Sequence, residues 1–156
     1  MNDVVIKRFD ELDTKELYEI LETRMKVFVV EQQCPYQDID AQDDGGVHLY
    51  IKKDGKIAAY LRIIDKEPPE KLMQIGRVLT IERGTGLGAE ILKAGISEAA
   101  SLGAEKIYIE AQVYAKGFYE REGFVVSGDE FLEDDIPHVP MMLELGSSRA
   151  YFKGRK

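Results

Sequence analysis

Several things are scarce in this sequence, and each scarcity excludes something. Cys34 is the only cysteine, so no disulfide framework and no cysteine-based metal site can form. No apolar run approaches membrane-spanning length, and Met1-Asn2-Asp3 does not open a signal peptide, which points to a cytoplasmic protein without a membrane partner. Positive charge is in deficit, with 21 Lys and Arg against 29 Asp and Glu. The resulting net charge of −8 argues against nucleic-acid binding. It also means that an anionic ligand must be held by local features against the mean field of the protein. There is no internal repeat, no linker that would split the chain, and no Gly-Lys-Ser/Thr of a Walker loop.

What is present describes a globular domain over residues 1–145 and a polar, basic tail from residue 146 to 156. A chain of 156 residues, 44% hydrophobic and 32% charged, can bury a core without a metal or disulfide staple. Residues 4–9 read as a strand. Asp13 then looks like a helix N-cap with Glu16 as its capping-box partner, ahead of Leu17, Ile20, Leu21, Arg24 and Phe28 at helical spacing. Residues 47–52 and 56–65 read as strands joined at Asp54-Gly55, a hairpin signal. Residues 67–70, Glu-Pro-Pro-Glu, read as a loop, and residues 72–80 as the next strand. A helix over about 87–102 ends at Gly103, and a strand over 106–112 alternates Ile107, Ile109 and Ala111 with Tyr108, Glu110 and Gln112. A short helix over 115–122 follows. Residues 124–131 and 140–145 read as a closing antiparallel pair joined by an acidic link, residues 133–138.

The sharpest local feature is the loop Arg83-Gly84-Thr85-Gly86-Leu87-Gly88, with a helix starting on top of it. The first N–H groups of a helix have no intrahelical partner and carry the positive end of its dipole, so a phosphate is the natural occupant. Arg83 and the N–H groups from Gly84 through Ala89 are therefore candidate pyrophosphate ligands. Gly84-x-Gly86-x-x-Ala89 also satisfies the dinucleotide fingerprint. A Rossmann-type oxidoreductase would need further βα units, whereas only a short helix and two strands follow. Arg24 interrupts the apolar stripe of its helix and reads either as a snorkelling side chain at the stripe's edge or as one aimed into a cleft, whereas Arg62 and Arg77, within apolar strands, need anionic partners, water or a polar cleft, with Glu31 and Glu110 as candidate partners. His48 reads as structural.

Arg83-x-x-Gly86-x-Gly88, together with Gly117-Phe118-Tyr119-Glu120-Arg121-Glu122-Gly123-Phe124, resembles the GNAT family of acetyl-CoA-dependent N-acetyltransferases. The element order resembles that family over nearly residues 4–145. Val27-Phe28-Val29-Val30-Glu31-Gln32-Gln33-Cys34-Pro35-Tyr36, Ile75-Gly76-Arg77-Val78, Ala111-Gln112 and Ile136-Pro137-His138 resemble its ElaA-like branch. The resemblance implies an α/β (α+β) GNAT fold, a mixed, mostly antiparallel sheet of about six to seven strands with helices on both faces. It implies acetyl-CoA as co-substrate, no metal, an amine acceptor on a small molecule or peptide, direct attack in a ternary complex, and dimerisation. A non-catalytic acyl-CoA-binding module is the alternative from another class.

The resemblance also assigns roles. Val78, Leu79 and Thr80, with Phe118, Tyr119 and the loop Arg83-Gly84-Thr85-Gly86-Leu87-Gly88-Ala89, fall on the donor side. The link from Arg77 to Arg83 is shorter than the family's usual spacing. Tyr119 resembles the family's tyrosine acid, and a neutral phenol is a proton donor at pH 7. His138 resembles a base found in a similar Pro-His context, and its ordinary pKa suits that work. Glu110 is a second candidate base. Arg24, Glu31, Arg62, Arg77 and Gln112 would line the acceptor side, and the arginines would suit an acceptor bearing a carboxylate or phosphate.

Overall fold

The computed structural model describes residues 2–67 and 71–146. The prolines of the 67–70 loop and residues 147–156 of the basic tail lie outside the described residues. Among the described residues, eight strands form one hydrogen-bonded sheet in the order β1-β2-β3-β4-β5-β8-β6, with β7 on β8. They are β1 Val5–Arg8, β2 Val47–Lys53, β3 Lys56–Glu67, β4 Leu72–Thr80, β5 Lys106–Gln112, β6 Val125–Val126, β7 Phe131–Glu133 and β8 Ile136–Glu144. The helices are α1 Thr14–Arg24, α2 Leu87–Ser101 and α3 Lys116–Glu120. The chain divides into two compact units, Met1–Ile64 with Arg77–Gly95 and Asp65–Gly76 with Ile96–Lys156.

In the first unit, α1 begins where the sequence signals it. Asp13 accepts from the Glu16 N–H at 2.7 Å, and Glu16 accepts from the Asp13 N–H at 2.9 Å. After Arg24 the helix widens into a π-helical stretch, Met25–Glu31. The β2–β3 hairpin turns at Asp54 and Gly55 with φ of +52° and +77°, the two left-handed residues of a type I′ turn. Ile20, Tyr50, Ile57, Tyr60 and Leu79 make a buried cluster, with Val5, Leu12, Val27, Phe28 and Ile81 against it.

In the second unit, β4 and β5 run parallel, pairing Leu72–Gln74 with Lys106–Tyr108, and β5 continues antiparallel to β8 from Lys106 to Gln112. The expected alternation holds in β5: Ile107, Ile109 and Ala111 are buried, while Tyr108, Glu110 and Gln112 are half-buried. The closing strands differ from the sequence expectation. Residues 124–131 are not one strand; only Val125–Val126 and Phe131–Glu133 pair. The acidic link is not a loop either, because β8 starts at Ile136 and includes His138. Its turn is reduced to Asp134 and Asp135, both left-handed at φ +50° and +63°, and aspartate is among the few residues that visit this region. The sequence reading put Pro137 in the link and began the strand at Pro140; both sit within β8, and the Pro140 carbonyl accepts from the Ser127 N–H at 2.9 Å.

Candidate active site

The glycine loop has the conformation a phosphate cradle needs. Gly84 and Gly86 lie at φ +75° and +82°, where a side chain would be strained, and a Cβ on either would meet no atom within 4 Å. The Gly86 carbonyl accepts from the Glu90 N–H at 3.2 Å, which makes Gly86 the N-cap of α2. The Leu87 N–H reaches only the Thr85 hydroxyl, at 3.4 Å. Donors and open space thus coincide, and the residues fit a pyrophosphate. On β4, Leu79 is buried in the core cluster, so only its backbone can meet a ligand; Val78 and Thr80 are half-buried.

Tyr119 is positioned by the way α3 ends. Gly123, at φ +99°, donates to the Glu120 carbonyl at 3.0 Å, and Phe124 donates to the Tyr119 carbonyl at 3.3 Å. This is the paired bond pattern of a Schellman motif, whose usual apolar contact is here the edge-on packing of Tyr119 against Phe124 at 6.0 Å. Phe118 packs edge-on against the same ring at 5.0 Å. Burial pushes the Tyr119 phenol pKa up, with Tyr114 adding to it, so it remains protonated at neutral pH.

Three candidates share one face of the β5–β8 ladder: Gln112 stands opposite His138, and Glu110 is two residues along from Gln112. The His138 Nδ1–H donates to the Ile136 carbonyl at 2.7 Å, which leaves the lone pair on Nε2. Nε2 lies 3.7 Å from a Glu133 carboxylate oxygen, and the ring stacks on Phe131 at 5.7 Å. The Tyr108 hydroxyl donates to Glu110 at 3.0 Å; burial and that bond push the Tyr108 pKa up to about 12.

The arginines are differently placed from what the sequence suggested. Neither Glu31 nor Glu110 partners them; Glu31 is exposed at the end of the π-helical stretch. Their partners are Asp38, Asp40 and Asp43. Arg24 is fully buried, with Nε 2.9 Å from Asp38 and Nη1 2.7 Å from Asp43. Arg62 joins Asp43 at 3.0 Å to Asp40 at 2.6 Å. Arg77 closes the circuit from Asp40, at 3.4 Å, back to Asp38, at 2.7 Å. Three cations and three anions therefore alternate around one ring, and the two buried arginines have their charge neutralised inside the protein. This corrects the expectation that Arg24 and Arg62 face an anionic acceptor: Arg62 is 3% exposed and Arg24 not at all.

The sequence reading missed these three aspartates because acidic residues beside Gly45-Gly46 resemble a solvated loop. Their spacing, Asp38-x-Asp40-x-x-Asp43, was the available signal, given that three arginines lacked partners. His48 is structural, as expected. It lies between the Tyr60 hydroxyl at 2.6 Å and the Asp43 carbonyl at 2.9 Å, and burial lowers its pKa so that it stays neutral.

Comparison with known proteins identifies the family. The acetyltransferase (GNAT) domain profile matches residues 11–145. A UPF0039 protein of Mycobacterium bovis is 41% identical over 138 residues, 85% of this chain and 86% of the relative. Protein ElaA of Escherichia coli is 36% identical over 140 residues, 86% of this chain and 92% of its own. The ElaA crystal structure superposes with a TM-score of 0.85 over 92% of this chain and all of that one. An acyl-CoA N-acyltransferase from Pseudomonas aeruginosa gives 0.83 at 38% identity, over 90% of this chain and 99% of that one. A GNAT profile spanning most of the chain, with ElaA similar in both sequence and structure, shows that the chain belongs to the GNAT acetyltransferase family, in its ElaA-like branch, and is an acyltransferase.

Proposed function

We propose that this protein transfers an acetyl group from acetyl-CoA to a primary amine of a small molecule or peptide, by direct attack in a ternary complex. The observation that carries the donor assignment is the left-handed Gly84 and Gly86 at the start of α2, with open space over both. Acetyl-CoA supplies the activated thioester. The loop N–H groups and Arg83 hold its pyrophosphate. Backbone N–H groups among Val78, Leu79 and Thr80 polarise the thioester carbonyl as negative charge builds on its oxygen.

The acceptor must lose a proton to attack. His138 takes it on Nε2, and Glu133 stabilises the imidazolium that forms; Glu110 is the second candidate for this step. The C–N bond forms as the C–S bond breaks, and Tyr119 gives its proton to the departing thiolate. Neutralised arginines favour an acceptor bound without an arginine–carboxylate clamp. The test is thiol release from acetyl-CoA over a panel of amines, with CoA and NAD binding measured in parallel. Acetyl transfer predicts amine-dependent release. CoA binding with no release over a broad panel indicates a binding module, and protection by NAD but not CoA overturns both.

A further inference from the structure

Arg77 stands within β4 at a φ of +54°. A residue with a Cβ enters this region only at a steric cost, and glycine is its ordinary occupant. Here a glycine is adjacent, yet the left-handed conformation falls on Arg77 and not on Gly76. Such an outlier persists only when its surroundings over-determine it.

The Arg77 side chain identifies those surroundings. Its Nε lies 2.7 Å from Oδ1 of Asp38, and its Nη2 donates to the Asp38 carbonyl at 2.9 Å. The guanidinium also lies over the Tyr36 ring, 5.4 Å from the centroid. Asp38 is itself immobilised. Arg24 Nε donates to its Oδ2 at 2.9 Å, Arg24 Nη2 donates to its carbonyl at 3.0 Å, and the Tyr36 hydroxyl donates to its Oδ1 at 2.5 Å. It is 4% exposed. Of the three aspartates in the ring, Asp38 alone grips both Arg24 and Arg77 through its side chain and its carbonyl.

The φ and ψ of Arg77 set the plane of the peptide that carries the Val78 N–H, because that peptide is rigid. We infer that Asp38 is a positioning residue: it holds Arg77 in the left-handed bend and thereby aims the N–H groups of the Val78–Leu79–Thr80 run. The inference rests on the proposed acetyl transfer, in which those N–H groups polarise the thioester carbonyl. It gives the six-charge ring a task beyond filling buried space, and it explains why the bend falls on an arginine rather than a glycine: an arginine can be gripped.

The test combines turnover with a direct reading of the backbone. In Asp38→Asn the three-bond HN–Hα coupling of residue 77 should move from its left-handed to its extended value. The same variant should lower kcat by about tenfold or more while changing the KM for acetyl-CoA far less, as misplacement of a catalytic group does. Glycine adopts the bend without being held, so Arg77→Gly should turn over at least about ten times faster than Arg77→Ala. In the Arg77→Gly background, Asp38→Asn should cost no more than about twofold further, since the shared interaction is already gone.

Residue 77 staying left-handed in Asp38→Asn overturns the inference, as does a backbone shift that leaves kcat intact. If Asp38→Asn does not fold, the Arg77 pair decides, and equal turnover of the glycine and alanine variants overturns it. A wild-type protein that releases no thiol with any amine instead sinks the acetyl-transfer reading, while the coupling in Asp38→Asn still reports whether Asp38 holds the bend.

Discussion

Tyr119 illustrates how a side chain is prepared by its neighbours. The Schellman end of α3 fixes its backbone, Phe118 and Phe124 fix its ring, and burial keeps its proton on. Removing the hydroxyl alone leaves the packing in place. Tyr119→Phe should therefore lower kcat by about 100-fold, as loss of a general acid does, with CoA affinity nearly unchanged by calorimetry. His138 makes a parallel prediction. Its imidazole is the group proposed to take the acceptor's proton. His138→Ala should lower kcat by about 100-fold with CoA affinity nearly unchanged; an unaltered kcat removes His138 as the base. Tyr119 could be singled out from sequence because the stretch 117–124 around it resembles the family's tyrosine-bearing helix. The Ile136 carbonyl and Glu133 that orient His138 could not, because the sequence shows prolines and acids there but not the strand that brings them together.

At the scale of elements, the glycine loop and the β7–β8 hairpin are each built on left-handed residues. Gly86→Ala places a Cβ in open space, so its cost is conformational, about 1–2 kcal/mol. The strain should distort the cradle and weaken CoA binding measurably by calorimetry, and should lower the melting temperature by a few degrees. The hairpin should respond in the opposite sense. Asp135→Gly relieves a left-handed aspartate at φ +63° in a two-residue turn and should raise the melting temperature slightly. Strands β4 and β5 were legible to the residue because their apolar alternation is strong and Gly103 marks the preceding helix end. The β7–β8 hairpin was not, because the acidic run and Pro137 signal a loop locally while pairing with β5 and β7 overrides that signal.

Across the molecule, the alternating ring joins α1, β3 and β4 to the segment holding Asp38, Asp40 and Asp43. Its pH response follows from Asp40, whose hydrogen bond to Arg62 holds the carboxyl at about 2. The folded state binds its proton less tightly than the unfolded chain, so this stabilisation is complete above about pH 4 and is lost as pH falls through about 2. It amounts to about 2 kcal/mol. Urea melts of Asp40→Asn and wild type should differ clearly at pH 7 and converge as pH is lowered through that window. A difference that persists at pH 2 would mean that Asp40 stabilises through packing and not through charge.

The sequence by itself determined most of the elements and the glycine loop ahead of α2, and its motifs resemble the family to which the chain belongs. The elements depend on residues close in the chain, where periodicity, capping and turn chemistry act. The tertiary structure decided what the arginines do. Arg24, Arg62 and Arg77 come from three different elements, and only folding brings Asp38, Asp40 and Asp43 among them. A buried guanidinium must find an anion, but the sequence does not say which one, because several carboxylates could satisfy the same charge. The fold makes that choice, and in doing so it ties the three arginines to three aspartates in one alternating ring, with Arg24 and Arg62 buried in it and Arg77 at a left-handed bend in β4.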